Sequence, residues 1–191
     1  MEEFLKKGYA LSKTTDIARA AGVTHAMFHY YFRTKENLFN KVFEEKVHFI
    51  GRSFTSKFDD DLPFAEQLKH AIENHFDLIA SNRRLPVFII NEIFANEERR
   101  ETCRNIFLPI IQGEMTRMQA RIDREVAAGN IRKISAVDLF MSIISLNVFT
   151  FVVTPVLKIL TNEDEADYER FLLNRKKENV ETILSRISIR N

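Results

Sequence analysis

Apolar residues recur every three to four positions along almost the whole chain, and no long run alternates with period two. That spacing predicts helices throughout. The first are short. Ile17, Ala18 and Ala21 share one face of a helix for which Ser12 is the expected N-cap, and Gly22 ends it, because a residue without a Cβ takes a positive φ without strain. Thr24 then caps a second short helix whose buried face is Phe28 and Phe32, one turn apart. Thr34 opens a longer helix to about Lys57, with Leu38, Val42, Phe43, Phe49 and Ile50 as its stripe. The acidic run Asp59-Asp60-Asp61 is expected to end it and to favour the next N-terminus, where Pro63 suits the first turn. A domain boundary is expected here, dividing residues 1–57 from 58–191.

The second part continues the helical pattern. A helix over about 64–81 places Leu68, Ile72, His75 and Ile79 on one face, and Pro86 opens a short apolar segment from Val87 to Phe94. A long helical region from about Glu97 to Ala128, bent near Pro109, carries Phe107, Ile111, Met115, Met118, Ile122 and Val126, and Gly129-Asn130 stops it. Ser135 and Asp138 have the spacing of a capping box for a helix to about Val153, which Pro155 kinks or restarts. The last helix, about 165–189, carries Phe171, Leu172, Val180, Ile183, Leu184 and Ile187. The fold class is therefore all-α: a short-helix N-terminal domain and a helical-bundle C-terminal domain.

Two short helices around a glycine turn follow the helix-turn-helix plan, in which the second helix enters the DNA major groove. Its outward positions are His25, Met27, His29 and Tyr30. The alternative is a generic helical hairpin in a bundle core, which leaves that run of outward aromatics and histidines without a role. The N-terminal part also holds ten Lys/Arg against six Asp/Glu, while residues 58–191 hold eighteen against twenty-one. A basic head on a slightly acidic body is the charge pattern of a nucleic-acid reader.

The same stretch resembles the DNA-binding domain of the tetracycline-repressor (TetR) family of bacterial transcription regulators. The matching pieces are Gly8-Tyr9, Asp16-Ile17-Ala18, Ala21-Gly22-Val23-Thr24, Tyr31-Phe32 and Lys35-Glu36-Asn37-Leu38-Phe39, at the family's spacing. The motif covers about the first fifth of the chain, and the ending FLLNRKKENVETILSRI is loosely similar to the family's C-terminal domain. The resemblance implies DNA contacts from Thr14, Thr24, His25, Ala26, Met27, His29, Tyr30, Tyr31 and Lys35, with Lys35 on the backbone. Two of these depart from the family, which usually has tyrosine at His29 and often glycine at Ala26. The family's first helix also begins about three turns ahead of Phe4, whereas this sequence starts at Met1, so either the native start lies upstream or the first helix is a truncated stub.

The helix over 136–153 is apolar nearly all round, and such a helix needs partners on all sides. A second copy of the chain, packing through its last two long helices about a two-fold axis, is the simplest source. The resemblance implies the same dimer. A membrane span is possible on length, but Ser142, Ser145, Asn147, Thr150, Thr154 and Pro155 interrupt the run and favour a buried helix without membrane contact.

One cysteine, Cys103, excludes an intramolecular disulfide and suits a reducing cytoplasm. No catalytic constellation, phosphate loop or zinc pair is evident, so neither enzyme activity nor a cofactor or metal is expected. His25 and His29 have a metal-compatible spacing but no third ligand nearby. Polar residues in otherwise apolar stripes are the lead to a ligand: His75, Glu114 and Asn147, with Phe107 and Met118 as walls, would form a pocket for a small, mostly apolar effector. The competing reading is a packed core with locally satisfied polar groups, or an Asn that fixes dimer register. These observations together predict a homodimeric, ligand-responsive repressor that reads a two-fold symmetric double-stranded DNA operator. The alternative is a ligand-binding or interaction module of the same architecture that has lost operator binding.

Overall fold

The structure, a computed structural model, describes residues 2–54, 62–161 and 164–189. Among the described residues the regular structure is helical: α1 (Glu2–Leu11), α2 (Thr14–Ala20), α3 (His25–Phe32), α4 (Lys35–Ser53), α5 (Phe64–Ala80), α6 (Leu85–Ala95), α7 (Glu97–Ala127), α8 (Ala136–Thr161) and α9 (Glu165–Ile187). Several ends follow the expected chemistry. The Thr24 hydroxyl accepts from Met27 N at 3.2 Å, that of Thr34 accepts from Asn37 N at 3.1 Å, and that of Ser135 accepts from Asp138 N at 3.0 Å. Gly22 and Gly129 take φ of 68° and 74° at the ends of α2 and α7. Ser12 does not cap α2. It is buried, and its hydroxyl donates back to the carbonyls of Gly8 (2.7 Å) and Glu3 (3.2 Å) in α1. Helices α7 and α8 continue through Pro109 and Pro155.

The chain divides into two packed units, residues Met1–Gly51 with Arg84–Leu108, and Arg52–Arg83 with Pro109–Asn191. The expected boundary at 57/58 and the acidic run 59–61 lie outside the described residues. What the packing adds is that α6 and the start of α7 join the N-terminal unit. Leu85, Phe88, Ile89 and Cys103 are buried with Phe4, Phe39, Phe43 and Val47, so the four short N-terminal helices gain the core they cannot build alone.

An ion network crosses that core. The Arg99 guanidinium, on α7, is 5% exposed and donates to Glu92 of α6 and, at 2.9 Å, to Glu36 of α4. Its plane lies 4.2 Å from the Phe39 ring centre and 4.7 Å from that of Tyr9. The Tyr9 phenol is held above its usual range, chiefly by its hydrogen bond to the Glu36 carboxylate. Four helices meet at one cation.

In the C-terminal unit, α5, α8 and α9 pack on one another. One cluster holds Phe64, Leu68, Ile72, Ile122, Leu139, Ile183 and Ile187, and a second holds Phe76, Ile79, Phe151, Tyr168 and Leu172. Most of the apolar face of α9 is therefore consumed inside its own unit, with Leu173 left 64% exposed. Helix α8 keeps a surplus: Val137, Met141, Phe149 and Val156 are all more than half exposed. At 3.6 residues per turn these four fall on about a third of its circumference. This helix is the one, among the described residues, long and apolar enough to cross a membrane.

Breaking the Arg99 network should be costly because it leaves Glu92, 7% exposed, as a buried charge without its partner. Arg99→Met is expected to destabilise the N-terminal unit by about 3–5 kcal/mol in urea denaturation, and adding Glu92→Leu should recover much of that loss. Equal stability of Arg99→Met and wild type would show that the pair contributes little.

Candidate nucleic-acid interface and ligand cavity

The α2–α3 pair presents a reading face because one side of α3 is tied down. Phe28 is 3% exposed and meets Phe32 at 5.8 Å with the rings tilted by 45°, and Phe32 packs against the Phe4–Phe39 core. The opposite side is open: Met27 is 44% exposed, Tyr30 80% and Tyr31 67%, with Thr24, His25, Ala26 and His29 also exposed. Eight of the nine sequence-predicted DNA residues thus lie on or beside α3 and α2.

The polar groups there are already ordered. His29 Nδ1 lies 3.0 Å from the Arg33 carbonyl, which can only accept, so Nδ1 carries the proton. In the neutral ring Nε2 is then the acceptor, and it faces His25 Nε2 at 3.2 Å. His25 Nε2 also meets Thr14 Oγ1 at 3.0 Å. This arrangement makes His25 the Nε2–H tautomer and leaves its Nδ1 as an acceptor. No group of three His, Cys, Asp or Glu side chains suited to a metal ion occurs among the described residues.

Lys35 has a structural task that sequence reasoning missed. Its ammonium donates to the carbonyls of Tyr9 (2.9 Å) and Ser12 (3.0 Å) and sits 4.3 Å from the Tyr9 ring centre. A lysine closing the C-terminal carbonyls of α1 also complements that helix's dipole. Two of its three donors are engaged.

The C-terminal unit contains a cavity of about 90 Å³. Its apolar walls include Leu68, Ile111, Met115, Met118, Phe140 and Ile143, and His75 and Glu114 border it. Of the five residues expected at a ligand site, His75, Glu114 and Met118 come together here. Phe107 does not: it packs against the N-terminal unit's core, on the stretch of α7 ahead of Pro109. Asn147 is fully buried behind the wall and reaches the cavity only through His75, whose Nδ1 is 3.1 Å from Asn147 Nδ2. Asn179, fully buried on α9, was missed altogether because it sits at the edge of a charged stretch; it donates to Asn147 Oδ1 at 2.9 Å. Burial pushes the His75 imidazole down to about 4, so it is neutral at physiological pH. Burial likewise raises the Cys103 thiol to about 11, so the neighbouring Arg104 does not activate it.

Residues 1–42 match the family model described as "Bacterial regulatory proteins, tetR family". Over those residues the chain is similar to the DNA-binding domain of the tetR family. Its fold agrees. A bacterial regulatory protein of the tetR family from Rhodococcus RHA1 superimposes with a TM-score of 0.71 at 19% identity, covering 100% of this chain and 93% of that one. A Clostridium perfringens protein named as a candidate fatty acid metabolism regulator gives 0.66 at 21% identity, covering 99% and 96%. The fatty acid metabolism regulator protein of Bacillus subtilis (strain 168) is 28% identical over 120 residues, 61% of this chain. That match spans 62% of the Bacillus protein's length.

The depressed His75 has a stability consequence. Between pH 6.5, its ordinary value, and about 4, the unfolded chain binds a proton that the folded chain refuses. Stability should therefore be full above pH 6.5 and fall toward pH 4, by up to about 3 kcal/mol from this group. Urea denaturation at pH 7.5 and 4.5 should show a steeper loss for wild type than for His75→Phe. Parallel losses would remove His75 as the cause.

Proposed function

We propose that this chain is a tetR-family, DNA-binding transcriptional repressor, acting as a homodimer on a two-fold symmetric operator and released by a small, mostly apolar effector. The observation that carries the reading is the exposed face of α3, anchored from behind by Phe28 and Phe32. In that reading, His25, Met27 and Tyr30 reach base edges. The His25 Nδ1 acceptor suits the amino groups of adenine or cytosine, and Met27 suits a thymine methyl. Thr14, Thr24, Ala26, His29 and Tyr31 border the backbone, and the third N–H of Lys35 is available to a phosphate. Such contacts fix register rather than sequence.

The surplus apolar face of α8 is the natural dimer surface. Two heads joined through it would need a separation of about 34–36 Å to enter successive major grooves. An effector that prefers a different separation would weaken DNA binding without touching a DNA contact, since only differential affinity shifts the equilibrium. The Bacillus relative's name, a fatty acid metabolism regulator, agrees with an effector that is largely apolar. A regulator of this kind works in the cytoplasm and needs no catalytic group.

Selection of bound fragments from genomic DNA, followed by gel shifts, tests the reading directly. His25→Ala and Met27→Ala should each relax preference at particular base pairs by ~1–3 kcal/mol while leaving other positions unchanged. Identical selected sequences for wild type and both variants would exclude them as readers.

Assembly is tested separately by sedimentation. The wild-type chain should be a dimer at micromolar concentration, and Phe149→Glu, placed on the exposed face of α8, should shift it to monomer or aggregate. A well-folded wild-type monomer would refute the dimer.

A further inference from the structure

The polar element of the cavity is wired from behind, and the wiring has a fixed direction. Arg175 Nη2, which can only donate, gives a hydrogen bond to Asn179 Oδ1 at 2.6 Å. This sets the orientation of the Asn179 amide, whose Nδ2 donates to Asn147 Oδ1 at 2.9 Å. At the other end, Asn147 Nδ2 donates at 3.0 Å to the Ile72 carbonyl, which can only accept. Both ends of the chain therefore agree on how Asn147 is turned. Its second amide hydrogen faces His75 Nδ1 at 3.1 Å, and that nitrogen must offer a lone pair. A neutral imidazole whose Nδ1 accepts carries its proton on Nε2.

The Nε2–H has no acceptor among the described residues, although His75 is 9% exposed and borders the cavity. The ring is held in place by the Phe54 ring, stacked at 5.9 Å, which in turn meets Phe140 edge-on at 5.3 Å. A donor without a partner, on a ring that is held in place and borders a mostly apolar cavity, is a recognition element waiting for an acceptor.

The rest of the lining narrows the ligand class. Among the described residues no lysine or arginine borders the cavity, and the one carboxylate there, Glu114, is 8% exposed and paired with Arg117. An anionic head group would be desolvated beside that carboxylate with no cation to offset it. An ammonium would meet the His75 N–H instead of a lone pair, and the Glu114 carboxylate is already taken by Arg117. The space is small, about 90 Å³, and partly open, so it suits an aliphatic group of a few carbons.

We propose that His75 is locked as the Nε2–H tautomer by the Arg175–Asn179–Asn147 chain, and that the effector is an uncharged, mostly apolar molecule presenting a carbonyl or similar acceptor to it. The inference deepens the effector reading of this unit and is independent of whether the N-terminal unit binds DNA.

The full-length protein without DNA supports the test, so its outcome is separate from the gel shift. Nitrogen-15 NMR of the histidine rings at pH 7.5 should show His75 with an unprotonated Nδ1 and a protonated Nε2. A protonated Nδ1, or an imidazolium, overturns the proposal without any variant. Four probes of similar size are then titrated: 2-pentanone, pentane, butanoate and butylammonium. The ketone should bind about 2–10-fold more tightly than pentane, the factor of one neutral hydrogen bond, and shift the His75 Nε2 resonance. The two ions should bind more weakly than either. His75→Phe should keep pentane binding and lose the preference for the ketone. Asn147→Leu, if folded by circular dichroism, should mix the two tautomers and lessen that preference. Tightest binding of butanoate or butylammonium, or equal binding of ketone and pentane, would sink the assignment.

Discussion

The Arg99 guanidinium is taken out of water at a cost of several kcal/mol, and the groups that compensate it come from four different helices. Two carboxylates, Glu92 and Glu36, take its N–H groups, and two rings, Tyr9 and Phe39, cover its faces. No one of α1, α4, α6 and α7 can move far without uncovering a charge. Its Nε is buried without an acceptor, so the fit is constrained rather than complete. The arrangement explains why α6 and the start of α7 belong with the N-terminal unit, although they lie more than thirty residues from its last short helix.

A helix of eight residues such as α3 is too short to be stable alone in water. Its existence depends on the Thr24 cap, on Phe28, and on Phe32 reaching the core that Arg99 organises. Lys35 extends the same logic by closing α1 from the first residue of α4. The outward side chains of α3 are therefore free to be chosen for contact, because the inward ones and the cap already hold the helix.

The helices, their caps at Thr24, Thr34 and Ser135, and the glycine stops at Gly22 and Gly129 were legible because each rests on local chemistry within a few residues. The outward face of α3 was legible for the same reason: period alone separates Phe28 and Phe32 from Met27 and Tyr30. What depended on distant partners was not. Ser12 reads as a cap by its type, but its hydroxyl is claimed by α1. Phe107 and Met118 share one helix and one stripe, and only the packing shows that they serve different units. His75, Glu114 and Asn147 stood out as polar interruptions, whereas Asn179, which orients Asn147, was hidden beside Arg175, Lys176, Lys177 and Glu178, where polarity looks ordinary.

The direction of the amide chain behind His75 carries a lesson for comparing relatives. Whether the imidazole gives or receives is decided by an asparagine that touches no cavity space, oriented by another on a different helix. Two proteins with identical cavity walls could thus select ligands of opposite polarity if the hidden amide of one were turned over. Chemical preference in such a family can drift while every wall residue is preserved, and alignment of the walls alone would record no change.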